Sequence, residues 1–190
     1  MNQVVRVLLL APTVTRIQHQ PARIAYDDGT QHRHHVPDYL LELGDRRVML
    51  EVKPERFVEQ HRTKFDACAT VLDARGVDYF VCTDREVEKA RGARAAELLQ
   101  LARMAADPVE LADLLGWVER QGRASVRAAL ARGHSVPLLM HTVGRRLVFT
   151  DPALQLAPDD WLLSKDSADE LPNLEQWLGC SAWRHERLRR

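Results

Sequence analysis

The sequence predicts an α/β protein in two parts, and its pattern of apolar residues and turns carries this prediction. Residues 1–90 alternate between strand-like and loop-like segments, with tight turns at 27–30 and 44–45. From residue 91 onward the pattern is mostly helical, with a short β excursion. Strands followed by helices favour a sheet covered by helices over an all-α or all-β fold. We therefore expect one domain over residues 1–90 and another over residues 91–190.

In the first part, short apolar runs separated by tight turns predict a β-meander. Residues 23–26 form the first run, residues 34–43 bring the chain back, and residues 46–52 form the last run. The turns between them contain Asp-Gly and Gly-Asp, and Asp-Gly is typical of hairpins. Pro54 ends the last strand because proline has no N–H to donate to a central ladder.

The segment after the meander predicts a helix and then another strand. Apolar residues recur at three- and four-residue spacing over 57–72, which indicates a helix, and Gly76 fits its C-terminal cap. Residues 77–83 are a compact apolar run that would re-enter the sheet after a crossover. Asp84 stands where the N-cap of a further helix belongs.

The second part predicts several short helices and a β-hairpin. Helices are expected over 93–105, from Asp107-Pro108 to Gly122, near 126–130 and over 136–143. A strand follows at 147–150. Short helices followed by a β-hairpin is the order of a winged-helix-like module.

Composition and missing motifs exclude several classes of protein. Lys and Arg number 27 and so do Asp and Glu, which argues against a protein that holds nucleic acid by bulk charge. No apolar run approaches the roughly 18 residues needed to cross a bilayer, so we expect no membrane partner; residues 4–10 fit a buried strand or part of a helix. The sequence lacks the phosphate-binding loop, dinucleotide-binding turn, zincin helix and hydrolase elbow motifs.

The three cysteines indicate a reducing compartment. Cys68, Cys82 and Cys180 are odd in number and widely spaced, and they fit neither a disulfide framework nor a paired zinc site. The sequence therefore predicts a cytoplasmic protein.

Three residues at the ends of two predicted strands carry the chemistry. Asp38 opens one strand, and Glu51 and Lys53 close the next. A tight turn between antiparallel strands brings the start of the first beside the end of the second. Residues two apart on a strand share a face, so Glu51 and Lys53 point the same way.

Two carboxylates and a lysine in one place are the parts of a metal-dependent phosphodiester hydrolase. Carboxylate oxygens suit Mg²⁺, for which Mn²⁺ can substitute. Such a metal activates water and polarises a phosphoryl oxygen. The lysine can orient the water or stabilise charge that develops on the phosphate. The alternative is a surface salt bridge between neighbouring strands.

Pro37-Asp38 followed by Glu51-Val52-Lys53 is the P-D…(D/E)-x-K pattern of the restriction-endonuclease-like nucleases, and the chain resembles the TnsA family within that superfamily. The resemblance covers residues 12–90 well and residues 100–165 more loosely. Beyond the two motifs, it rests on Pro12, Val14, Ile17, Gln20, Pro21, the turn at 26–29, Lys64, Phe65, Val81, Thr83, Asp84 and Glu86.

The resemblance implies a restriction-endonuclease-like domain with a mixed central sheet, followed by a small helical winged-helix-like domain. It implies a Mg²⁺-dependent endodeoxyribonuclease with catalytic residues Asp38, Glu51 and Lys53. The metal ligands would be Asp38, Glu51 and the carbonyl of Val52. The family hydrolyses the 5′ strand at transposon ends, beside a DDE-type transposase (TnsB) and an AAA+ regulator (TnsC).

One departure from the family motivates a non-catalytic alternative, and a second alternative within the enzymes also stays open. Family members generally carry an acidic residue on an extra N-terminal helix, but residues 1–26 contain no Asp or Glu. The chain could instead be a non-catalytic module that bridges a transposase and its regulator. A stand-alone nuclease for defence or repair is the other alternative.

Other polar residues near the motif have a structural and a functional interpretation. The cluster of His32, His34 and His35 favours a solvated loop, although it could contact phosphate or metal. Lys64 is either a helix-surface residue or points at the site. Gln20 lies near the site by family analogy.

Overall fold

The computed structural model describes residues 3–27 and 29–184 and has the predicted mixed α/β architecture. The chain divides into two compact units. The sheet unit contains residues 13–87 and 174–184, and the helical unit contains residues 3–12 and 88–173. Among the helices of these described ranges, none has the length and apolar character needed to cross a membrane.

The described residues form the following elements. The helices are α1 (Gln3–Leu9), α2 (Arg62–Asp73), α3 (Lys89–Leu101), α4 (Pro108–Gln121), α5 (Val126–Ala131), α6 (Val136–Gly144) and α7 (Leu174–Leu178). The strands are β1 (Arg16–His19), β2 (Ile24–Asp27), β3 (His32–His35), β4 (Tyr39–Leu43), β5 (Arg46–Val52), β6 (Asp78–Cys82), β7 (Arg123–Ser125), β8 (Val148–Thr150) and β9 (Trp161–Ser164). Short 3₁₀ turns lie at Glu55–Phe57, Glu59–His61 and Ala168–Glu170.

The sheet unit is built on a mixed sheet with the strand order β1-β4-β5-β6. β4 is antiparallel to β1 and β5, whereas β6 runs parallel to β5. A parallel pair needs a crossover, and α2 supplies it, as predicted. α2 buries Phe65, Cys68 and Leu72 in a core that includes Met49 and Tyr79 of the sheet.

The predicted meander is wrong in one respect, because residues 34–43 form two strands. β3 ends at His35 and pairs with β2 in a separate two-stranded ribbon, whereas β4 begins at Tyr39. Pro37 lies between them and has no N–H for a ladder, so the pairing breaks there. At the ribbon turn, the Gly29 N–H donates to Asp27 Oδ1 (2.8 Å); Asp28 lies outside the described residues.

The helical unit contains a second sheet framed by short helices. Along the chain the order is α4, β7, α5, α6, β8 and β9, and the three strands are arranged β7-β9-β8. Asp107 caps α4 as predicted, because its carboxylate accepts hydrogen bonds from the N–H groups of Val109 and Glu110. α6 packs on α3, where Gly144 lies against the backbone of Leu98.

The ends of the chain depart from the predicted domain ranges of 1–90 and 91–190. Residues 3–12 belong to the helical unit, because α1 buries Val7 and Leu8 and packs on α3. Residues 174–184 belong to the sheet unit, where Glu175 forms an ion pair with Arg46 of β5. The run 4–10 is therefore helical rather than a strand.

The prediction that Asp84 caps a helix is wrong. α3 begins later, at Lys89, with Glu88 at its N-cap. The Asp84 carboxylate instead accepts a hydrogen bond from the Glu55 N–H at 2.8 Å. It therefore fastens the loop that follows β5.

Candidate active site

Asp38 lies immediately before β4 and faces the end of β5. Tyr39 pairs with Leu50, so one further step in the same register places Asp38 opposite Glu51. Asp38 Oδ2 accepts a hydrogen bond from the Val52 N–H at 2.8 Å. Its carbonyl oxygen accepts another from the Gln20 N–H, also at 2.8 Å. The two strand ends are thus tied together at the carboxylate.

Glu51 is the centre of the site, although only 3% of its surface is exposed. Its Oε2 lies 2.8 Å from Nε2 of His35. Its Oε1 lies 3.4 Å from the Nζ atoms of both Lys53 and Lys64. A buried carboxylate is costly without such partners, so three nitrogen groups, from β3, from α2 and from the residue that follows β5, hold this one in place.

The pKa of Glu51 reflects a balance between burial and these neighbours. Burial raises the pKa of this carboxyl. The hydrogen bond with His35 and the charges of His35, Lys64 and Lys53 outweigh it, so the net pKa lies below its usual range. Glu51 is therefore a carboxylate at neutral pH, which is the form that binds a cation.

The predicted proximity of the three motif residues is present, and two further residues join them. Lys53 contacts Glu51 directly, and Asp38 reaches the same strand end through Val52. Sequence reasoning placed His35 in a solvated loop, but it ends β3 and contacts Glu51. The sequence allows two interpretations of Lys64, and the structure places its ammonium group at Glu51.

The other polar candidates do not share the contact with Glu51. The side chains of His32 and His34 are exposed, and His32 lies 3.3 Å from Asp27. The side chain of Gln20 is exposed as well, and its backbone has a φ of 46°. Gln20 contacts Asp38 through its backbone N–H instead.

Tyr79 lies in the core beside the site and was missed by sequence reasoning. Val81 pairs with Glu51, so Tyr79, two residues earlier on β6, shares its face of the sheet. Its buried hydroxyl has no hydrogen-bond partner within the described part of the chain. Burial raises its pKa, and the Glu51 and Asp38 carboxylates add to that effect. Nothing in the sequence distinguishes this residue from an ordinary core tyrosine.

The donor atoms at the site suit a hard divalent cation. Asp38 and Glu51 offer carboxylate oxygens on neighbouring strands, which is the ligand type that Mg²⁺ prefers. Across residues 3–27 and 29–184, His, Cys, Asp and Glu side chains form no group of three or more suited to a metal ion. A metal here would therefore use two side chains and complete its shell with backbone oxygen or water.

Comparison with known proteins identifies the segment that contains this site. Residues 11–84 match the family described as TnsA-like endonuclease N terminal. No curated protein matches the chain. The match includes all of β1 to β6, and with them Asp38, Glu51, Lys53 and Lys64. Residues 11–84 are therefore a TnsA-like endonuclease N-terminal domain.

Proposed function

We propose that this chain is a Mg²⁺-dependent DNA endonuclease and the subunit of a TnsA/TnsB-type transposase that hydrolyses the 5′ strand at transposon ends. The observation that carries the proposal is the convergence of Asp38, Glu51 and Lys53 at two adjacent strand ends within the matched segment. A carboxylate pair with a lysine supplies both a cation site and a charge that can act on a phosphate.

Asp38, Glu51 and the Val52 carbonyl would hold the metal, with Mn²⁺ as a substitute. A bound divalent ion lowers the pKa of water and polarises a phosphoryl oxygen. The hydrogen bond from the Val52 N–H fixes the Asp38 carboxylate, and His35 fixes that of Glu51. These contacts preorganise the two carboxylates before any ligand arrives.

Lys53 is proposed to position the attacking water and to stabilise charge on the phosphate. Its Nζ lies at the same carboxylate, and a quarter of its side chain is exposed, so the ammonium reaches both the site and a bound substrate. Attack in line with the leaving 3′ oxygen would leave a 5′-phosphate and a 3′-hydroxyl, as in the resembled family.

The helical unit is proposed to be a winged-helix-like module that contacts protein. The order of α4, β7, α5, α6, β8 and β9 supports this assignment. In a helix-turn-helix module the second helix reads the major groove, and here that position falls to α6. α6 contains no Lys or Arg and packs on α3. We therefore propose the DDE transposase or the AAA+ regulator as the partner of this unit.

A second candidate function, a non-catalytic assembly module, is favoured by two observations. The family's additional acid is missing from residues 1–26, and the described residues hold no cluster of three metal-binding side chains. Such a module would bridge the transposase and its regulator without cutting DNA.

The test is Mn²⁺ binding by calorimetry on the wild-type chain and on Asp38→Ala. We expect binding that is lost in Asp38→Ala, because a carboxylate ligand has been removed. Asp45→Ala is the matched control, since Asp45 is an exposed carboxylate in the turn between the same two strands. Absence of Mn²⁺ binding, even with DNA present, would favour the assembly module.

Strand cleavage is tested next, with the transposase and regulator present. Wild-type chain should produce nicks at the 5′ strand of transposon ends, and Lys53→Ala should not. A complete assembly that forms on DNA but leaves both samples uncut at that strand would contradict the endonuclease. Robust cutting by the isolated chain would instead favour the stand-alone nuclease.

A further inference from the structure

We propose that Lys64 is an exchangeable counter-ion, which holds Glu51 while the metal is absent and transfers to a DNA phosphate when the metal binds. This inference rests on the proposed function, because it concerns the same metal and the same DNA. Its consequence is that the site binds metal and DNA cooperatively.

The geometry puts Lys64 in direct competition with a cation. Its Nζ lies 3.4 Å from Glu51 Oε1, the same oxygen that Lys53 approaches. The Glu51 side chain is 4% exposed and the Lys64 side chain 20% exposed, so the lysine links a buried anion to solvent. A cation that takes this oxygen must displace an ammonium group that is already there.

The carboxylate and ammonium charges at the site, counted without the His35 imidazole, balance only when no metal is bound. Two carboxylates, Asp38 and Glu51, face two ammonium groups, Lys53 and Lys64. A divalent ion leaves two positive charges in excess in a partly buried place, where such an excess is unfavourable. Phosphate groups of a DNA strand supply the missing negative charge. Each ligand therefore favours the binding of the other.

The choice of lysine supports an exchangeable contact. The chain has only four lysines among its 27 Lys and Arg residues, and two of the four are at this carboxylate. Arginine binds carboxylates with a rigid two-pronged fork, whereas lysine is a flexible point charge that changes partners without matching a plane. Lys64 also lies in the first turn of α2, from which its long side chain can swing.

Lys64 makes a second contact, with the aromatic ring of Phe65. Its Nζ lies 4.7 Å from the centre of the Phe65 ring, and Phe65 is fully buried. The ring attracts the ammonium group without neutralising it. The charge of Lys64 therefore stays beside the site when Glu51 is taken by a metal.

The test compares Mn²⁺ affinity of wild type, Lys64→Met and the control Lys165→Met by calorimetry. Without DNA, Lys64→Met should bind Mn²⁺ about tenfold more tightly than wild type, because a competing charged hydrogen bond of this kind is worth about 1.5 kcal/mol. Lys165 is exposed, and its variant should match wild type. Lys64→Gln tests the same point if Lys64→Met fails to fold.

The coupling is tested by repeating the titrations with a saturating phosphorothioate DNA duplex. The duplex should tighten Mn²⁺ binding in wild type and change it less in Lys64→Met. Equal Mn²⁺ affinities for wild type and Lys64→Met without DNA, or equal coupling, would overturn the role of Lys64 while leaving the metal site intact. Absence of Mn²⁺ binding in every sample would overturn the proposed function itself, and this role with it.

Discussion

Glu51 shows how one residue can be costly to the fold and useful to the site. Its carboxylate is buried, and burial alone would favour the neutral acid. The hydrogen bond with His35 and two ammonium groups keep its pKa below the usual range. The same groups that offset the cost of burial also keep the carboxylate in its charged form.

Tyr79 is the opposite case, because its buried hydroxyl has no hydrogen-bond partner among the residues that the structure describes. We expect Tyr79→Phe to leave stability unchanged or to raise it by up to about 1 kcal/mol, because a buried hydroxyl without a partner costs free energy. The check is urea unfolding at neutral pH. Tyr79→Leu is the control, since loss of the ring that packs on Phe65 should destabilise the protein. A marked loss of stability in Tyr79→Phe would mean that the hydroxyl binds an internal water.

At this scale the sequence predicts the site residues that belong to a motif. It does not predict the residues that reach the site through the packing of other elements. Strand alternation and one tight turn are enough to predict that Asp38, Glu51 and Lys53 lie close together. His35 reaches Glu51 because β3 pairs with β2 in a ribbon, a pairing that no local pattern announces. Lys64 reaches it because α2 packs across the sheet. Both contacts depend on distances between elements, which a single sequence does not contain.

At the scale of elements, the packing of α6 on α3 depends on one glycine. A Cβ at Gly144 would lie 2.1 Å from the carbonyl oxygen of Leu98, which is backbone and cannot turn away. We expect Gly144→Ala to destabilise the chain by about 3 kcal/mol or more, as overpacking against backbone does. The measurement is the free energy of unfolding in urea.

Gly116 of α4 provides the matched control for this prediction. A Cβ there meets only the flexible end of Arg120, at 3.2 Å. Gly116→Ala should therefore be neutral or stabilise by up to about 1 kcal/mol, because alanine is the better helix former. A Gly144→Ala protein as stable as this control would show that α3 and α6 are not in close contact.

Elements with strong apolar periodicity were predictable, and weakly patterned ones were not. β5, α2, β6 and the Asp107 cap follow from spacing and cap chemistry. β1 has the sequence Arg-Ile-Gln-His and three exposed residues, so it offers no alternating apolar signal. Its strand conformation comes from pairing with β4. Asp84 has the sequence context of an N-cap, but its carboxylate accepts a hydrogen bond from the N–H of Glu55 in the loop that follows β5.

At the scale of the whole molecule, Glu175 joins a distant part of the sequence to the sheet. Its carboxylate oxygens accept hydrogen bonds from Arg46 at 2.7 and 3.3 Å, while the Arg46 Nε donates to Asp78 at 2.7 Å. The bond from Arg46 lowers the pKa of Glu175, against the smaller opposing effect of burial. This network links α7 to β5 and β6 within the sheet unit.

Removing the negative charge of Glu175 should lower the free energy of unfolding by an amount that depends on pH. At neutral pH we expect Glu175→Gln to lower the free energy of unfolding by about 1 kcal/mol, after allowance for solvent screening of a partly exposed pair. Because the folded pKa is below the ordinary 4.5, the stabilisation is complete above that value and is lost as the pH falls through the folded pKa. The gap between wild type and variant should therefore shrink in acid.

Urea unfolding at neutral pH and in acid measures this gap. Glu119→Gln is the control, since Glu119 is exposed on α4. It should match wild type at neutral pH. A difference between wild type and Glu175→Gln that stays constant into acid would show that the carboxylate acts by shape rather than by charge.

The path of the chain through the two units limits how the protein can be divided. The chain passes from the helical unit to the sheet unit near residue 12, returns near residue 87, and passes again near residue 173. A single protease cut at one of these connections leaves the other two intact. A graft of the sheet unit into another protein must likewise carry two separate segments, so gene fusion at one junction cannot transfer it whole.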